Sequence, residues 1–77
     1  MKKEMIGVNA GIVWRILSER NSKTTFKELL LDTDLNPVEL ASAIGWLARE
    51  DKIQFELQYL NGKDKKAYVY LMLNVYF

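Results

Sequence analysis

The stretch Asn36–Glu50, NPVELASAIGWLARE, constrains this chain more than any other. It carries a complete helix start. The Asn36 side chain can accept a backbone N–H as N-cap, and Pro37 suits the first helical position, where its missing N–H would be unpaired anyway. Glu39 has the spacing of a capping box with Asn36, and Leu35 with Leu40 that of a hydrophobic staple. At 100° per residue, Pro37, Leu40, Ala41, Ile44, Leu47 and Ala48 share one stripe, expected to face the core. Val38, Glu39, Ser42, Trp46 and Arg49 fall opposite, which places a large aromatic on the outer side. Gly45 within the helix costs about 1 kcal/mol against Ala, and so points to close approach by a second helix or a ligand.

A chain of 77 residues is expected to form one domain, residues 1–77. At this size only about 60–65% of the unfolded surface is buried, so the core is thin. With no Cys and no His, disulfides, thiol chemistry, structural zinc and the usual neutral-pH general base are excluded. Lys2 and Lys3 are followed by Glu4 rather than an apolar run, and no apolar stretch approaches a bilayer span. The expectation is a cytoplasmic, bacterial-type protein that does not engage a membrane. The net charge of +1 predicts no partner by itself, but its distribution is uneven. Residues 1–27 hold six bases and two acids, residues 57–77 three bases and one acid. Residues 28–56 hold seven acids (Glu28, Asp32, Asp34, Glu39, Glu50, Asp51, Glu56) against Arg49 and Lys52. The central, acidic third contains the key helix.

Met1–Gly7 reads as a frayed or loosely docked start. Asn9–Arg20 reads as a first helix with Ala10, Val13, Trp14 and Leu17 on its core face, and Ile12 and Ile16 form a second apolar row. Thr24 and Thr25 suit a short strand pairing. Thr25 and Glu28 repeat the capping-box spacing, so Phe26–Asp32 is expected to be a short helix burying Phe26, Leu29 and Leu30. Two helices joined by the turn Asp32-Thr33-Asp34 make a helix-turn-helix. From Ile53 the period changes to two: Ile53, Phe55, Leu57 and Tyr59 alternate with Gln54, Glu56 and Gln58, a strand with one wet face. Asn61-Gly62 is a turn signal, extended by Lys63-Asp64-Lys65-Lys66. Ala67–Phe77 returns as a strand that is apolar on both faces.

Helix, short strand, helix, helix, hairpin is the order of a winged helix-turn-helix, an α+β fold of three helices and a C-terminal β-hairpin wing. NAGIVW at 9–14 and GWLAREDKI at 45–53 resemble a small stand-alone bacterial winged-helix family of unknown function, over roughly residues 6–60. The resemblance implies the fold and no particular activity.

Two readings of function follow. In the first, the third helix enters a DNA major groove and the wing touches the backbone, as in a transcription regulator. Ser42, Arg49, Asn61, Lys63, Lys65 and Lys66 are then the contact residues, with Val38 and Trp46 beside them. Phosphate contacts supply most of such affinity, yet this helix offers one Arg against Glu39 and Glu50, and Asp32 and Asp34 stand where phosphates would lie. The lysine loop also fits a plain solvated turn. In the second reading the chain is a homodimeric protein-interaction module that does not bind DNA. Ile12, Ile16, Trp46, Tyr68, Tyr70, Met72 and Tyr76 then supply the apolar interface, and a self-pairing C-terminal strand edge closes the dimer. The same residues fit a monomer in which Trp46 folds under the wing or the N-terminal tail and the tyrosines pack on the first helix. Catalysis is not expected. Asp32 with Asp34, or Glu50 with Asp51, could do acid–base work, but each pair sits at a helix boundary and no nucleophile has a base partner. No cofactor and no metal is expected.

Overall fold

A computed structural model of the chain describes residues 2–59 and 67–74. The elements are α1 (Met5–Arg20), β1 (Thr24–Thr25), α2 (Phe26–Thr33), α3 (Pro37–Arg49), β2 (Ile53–Tyr59) and β3 (Ala67–Leu73). The strands form one antiparallel sheet in the order β1-β3-β2. Three helices over this sheet give the expected α+β winged helix-turn-helix.

Each helix boundary has a local cause. The Thr25 hydroxyl accepts the Glu28 N–H at 3.2 Å, and Glu28 Oε1 accepts the Thr25 N–H at 3.0 Å. Asn36 and Glu39 repeat the pattern at 2.8 and 3.0 Å, so both expected capping boxes form. α1 ends where Asn21 takes the left-handed conformation and returns its N–H to Leu17 O at 3.0 Å. α1 starts earlier than the sequence suggests. Met5 and Ile6 donate to the carbonyls of Lys2 and Lys3 at 2.9 and 3.1 Å, so the expected fray at Met1–Gly7 is corrected from Met5 onward. Extending a helix already held by packing needs no new nucleus, and one glycine does not stop it.

The core is where α1, α2 and α3 meet the sheet. It contains Ala10, Val13, Leu17, Leu29, Leu40, Ala43, Ile44, Leu47, Ile53 and Leu71, with Ile16, Phe26, Leu30, Leu35, Ala48 and Leu73 half-buried against it. Two expectations are corrected. Trp14 is 42% exposed, because the buried stripe of α1 is narrow and centred on Val13. On α3, Pro37 and Ala41 are exposed and Ala43 is fully buried. The stripe is turned toward Ala43, whose small side chain lets α1 pack close.

The C-terminal strand is also corrected. The expected strand is Ala67–Phe77 with a self-pairing edge, but the strand is Ala67–Leu73, and β3 is the middle strand. Thr24 and Thr25 pair with Leu71 and Tyr70 on one side, and β2 pairs residue for residue on the other, from Ile53↔Leu73 to Tyr59↔Ala67. Two threonines therefore cover part of what looked like a free edge. Residues 75–77 of the expected strand and the Asn61-Gly62 turn lie outside the described residues.

α3 ends in a Schellman-type turn. The N–H groups of Asp51 and Lys52 return to Ala48 O and Leu47 O at 3.1 and 3.0 Å, with Asp51 left-handed at φ 56°. Asn74 fastens this turn to the sheet. Its Nδ2 donates to Asp51 O at 2.8 Å, its N–H to Lys52 O at 2.9 Å, and its Oδ1 accepts Gln54 Nε2 at 2.9 Å.

Arg20 clamps the end of α1 to α2, donating to Glu28 Oε2 at 3.0 Å and pairing with Asp32. The backbone N–H of Thr25, then its hydroxyl, then Arg20 hold the Glu28 carboxyl below the usual carboxylate range. A depressed folded pKa means that the stabilisation is present above the unfolded value and fades as pH falls through the folded one. In thermal melts between pH 7 and 3, the deficit of Glu28→Gln relative to wild type is expected to shrink below roughly pH 4.3, the ordinary Glu value. A deficit constant with pH would place the effect in side-chain shape instead of charge.

Candidate recognition surface on α1 and α3

α3 is the helix that a winged helix-turn-helix presents to a groove. Its outer face carries Val38, Ala41, Ser42, Gly45, Trp46 and Arg49. Val38 is 65% exposed, Ser42 is half-buried, and Arg49 stands exposed in the last turn. Ser42 Oγ donates to Val38 O at 2.8 Å, so its one hydrogen is already used within the helix. Among the described residues, a Cβ on Gly45 would meet nothing within 4 Å. Close packing inside the domain therefore does not account for this glycine, and the expectation that an internal helix approaches it is corrected. The middle of the face is small, smooth and uncharged.

The start of α3 is closed to phosphate. A helix N-terminus binds anions through its free N–H groups. Here Glu39 and Asn36 satisfy one another, Pro37 has no N–H, and the Glu39 carboxylate already occupies the positive end of the helix dipole. Asp34, exposed and left-handed at φ 58°, adds negative charge at the same turn. Asp32, by contrast, is neutralised by Arg20.

The sequence missed what lies beside this face. Trp14 and Trp46, at 42% and 45% exposed, wall a groove of about 240 Å³ between α1 and α3. Gly7, Ala10 and Gly11 contribute from α1, Leu47 from α3 and Lys52 from the turn after it. Among the described residues, a Cβ on Gly7 or Gly11 would meet nothing within 4 Å, so the glycines keep the groove open and are not required by contacts among those residues. The signal was legible as spacing. Positions 7, 11 and 14 share one face of a helix, and the frayed reading of Met1–Gly7 hid it. A larger depression, about 370 Å³, lies at Ile16, Glu19, Arg20 and Asp32. Its Arg20 and Asp32 already pair with each other, so it offers less for recognition.

The proposed interface residues do not form one patch. Ile16 packs against the core, and Ile12 is half-buried on α1, roughly 160° around that helix from Trp14. Tyr70 and Met72 alternate with the buried Leu71 and lie half-buried on the sheet face away from the helices. Lys23 Nζ stands 5.9 Å from the centre of the Tyr70 ring and 3.1 Å from Glu56 Oε1. Tyr68 lies in β3. Asn61, Lys63, Lys65, Lys66 and Tyr76 lie outside the described residues.

The winged helix-turn-helix domain family DUF2582 matches residues 1–71, which include both capping boxes, the paired tryptophans and most of the sheet. The chain belongs to this family. No curated protein and no solved structure matches it. Membership carries a fold of the DNA-binding, regulator-like kind, which is typically non-enzymatic. Among the described residues no group of His, Cys, Asp and Glu could hold a metal ion, and no helix is long and apolar enough to cross a membrane.

Proposed function

We propose that this domain is a non-catalytic, homodimeric protein-interaction module that does not read base sequence through α3. The observation that carries this is the pair of tryptophans, each nearly half exposed, around one groove beside a smooth apolar helix face. Aromatic side chains in a concave apolar patch are what protein interfaces concentrate, whereas base readout needs Arg, Lys, Asn or Gln at the exposed middle of the helix. Val8, Leu31, Val38 and Phe55 leave further apolar surface exposed on a small domain. Light scattering at about 50 μM is expected to give twice the 9.0 kDa chain mass; a monomer would remove the homodimer.

A second reading is favoured by the fold itself. DNA would be held through its backbone, with Lys63, Lys65, Lys66 and Asn61 on the wing, Ser42 and Arg49 on α3, and the basic N-terminal third. Fluorescence anisotropy with random duplex DNA separates the two readings. The protein-interaction reading expects no binding tighter than about 10⁻⁴ M at physiological salt. If micromolar binding is found instead, replacing Lys63, Lys65 and Lys66 together by Ala should flatten the slope of log K against log salt by roughly 2.7. An unchanged slope would exclude the wing from the contact.

A further inference from the structure

Among the described residues β2 is one edge of the sheet and the two-residue β1 the other. β2 lies outside β3, and among the described residues no strand pairs with its other side. The ladder tells which backbone groups face outward. Asn74 N–H donates to Lys52 O at 2.9 Å, and this pair stands one step beyond Ile53↔Leu73. In an antiparallel ladder, residues that exchange hydrogen bonds with the neighbour alternate with residues that do not. Gln54 and Glu56 therefore turn their N–H and C=O toward β3, while Ile53, Phe55 and Leu57 turn theirs outward. Such a row of donors and acceptors is a template for another strand. Most of the usual defences are missing: Ile53–Tyr59 contains no Pro and no Lys, its one charge is Glu56, paired with Lys23, and its unbroken register leaves no bulge. Phe55, two residues from the buried Ile53, is 51% exposed.

We propose that a second copy of this chain pairs antiparallel along the β2 edge with Phe55 on the two-fold axis, an interface that rests on the homodimer reading above. Charge disfavours one register, and the exposed Phe55 side chain favours another. An axis at Glu56 would set two carboxylates opposite one another in a closely spaced pair, which is destabilising. An axis at Phe55 sets the neutral Gln54 beside Glu56 of the partner subunit, Ile53 opposite Leu57 of the partner subunit, and the two Phe55 rings together. The contact is isologous and closes on itself, so it ends at two copies and does not propagate. It uses the outward backbone groups and joins the two three-stranded sheets into one.

Phe55→Pro is the test. It removes an outward N–H and leaves the bonds to β3 in place, a position at which edge strands accept Pro, and the preceding Gln54 is already extended. At about 50 μM the wild type is expected to scatter as a dimer and Phe55→Pro as a monomer, a two-fold fall in molar mass with an unchanged far-ultraviolet circular dichroism spectrum. A monomeric wild type overturns the homodimer reading and this interface with it. A dimeric wild type whose folded Phe55→Pro variant stays dimeric overturns this interface alone. Should the variant unfold, hydrogen exchange on the wild-type dimer decides. Amides of Ile53, Phe55 and Leu57 are expected to exchange at least about ten-fold more slowly in the dimer than after dilution to monomer; fast exchange in the dimer overturns the proposal.

Discussion

Replacing Leu40 by Ala is expected to lower the melting temperature by about 12–24 °C. Leu40 is fully buried in the core cluster and sits in the first turn of α3, where its N–H closes onto Asn36 O at 2.9 Å. Removing a buried Leu side chain costs about 3 kcal/mol or more, because the lost transfer energy is joined by a cavity that the surroundings fill only in part. A domain of this size has a total stability of only about 5–15 kcal/mol, and each kcal/mol moves its melting temperature by roughly 4–8 °C. Val38, two residues away and 65% exposed, is the control: Val38→Ala should stay within about 0.5 kcal/mol. Melts followed by circular dichroism check both. A Leu40→Ala shift smaller than about 4 °C would mean that α3 can collapse onto the cavity and that the thin core is more plastic than its burial implies.

Asn9→Ala is expected to raise the melting temperature by about 4–8 °C. Asn9 is 3% exposed on α1, and its Nδ2 is buried with no hydrogen-bond partner among the described residues. A buried donor left unpaired costs about 1–3 kcal/mol. Ala also prefers helix over Asn by about 0.5 kcal/mol. The packing lost with the amide offsets part of this, leaving a net gain near 1 kcal/mol. Asn9→Asp keeps the shape and should move the other way, because it buries a charge with no partner. If Asn9→Ala destabilises the domain, the amide is satisfied in solution by a group outside the described residues, and the polar side chain is structural.

The two helix starts of the helix-turn-helix were written in short words of sequence. Thr25 with Glu28, and Asn36-Pro37 with Glu39, act over three residues and through backbone atoms, so their outcome does not depend on distant parts of the chain. The change of period at Ile53 is local in the same way. These signals determined the element order, and with it the fold. The acidic turn before α3 was equally legible, and so was the shortage of base-reading side chains on that helix.

Faces and edges were decided in three dimensions. Trp14 and Val13 are adjacent, and only the angle at which α1 meets α3 decides which of them is covered. The same packing exposes Ala41 and buries Ala43, two small residues whose composition gives no preference. The free strand edge moved from the C-terminal strand to β2 because two threonines, about 45 residues earlier in the chain, pair with β3. Local patterns therefore determined which elements this protein has. Which surfaces those elements leave uncovered, and so where a partner can dock, depends on contacts between residues far apart in sequence, and only the tertiary structure settled them.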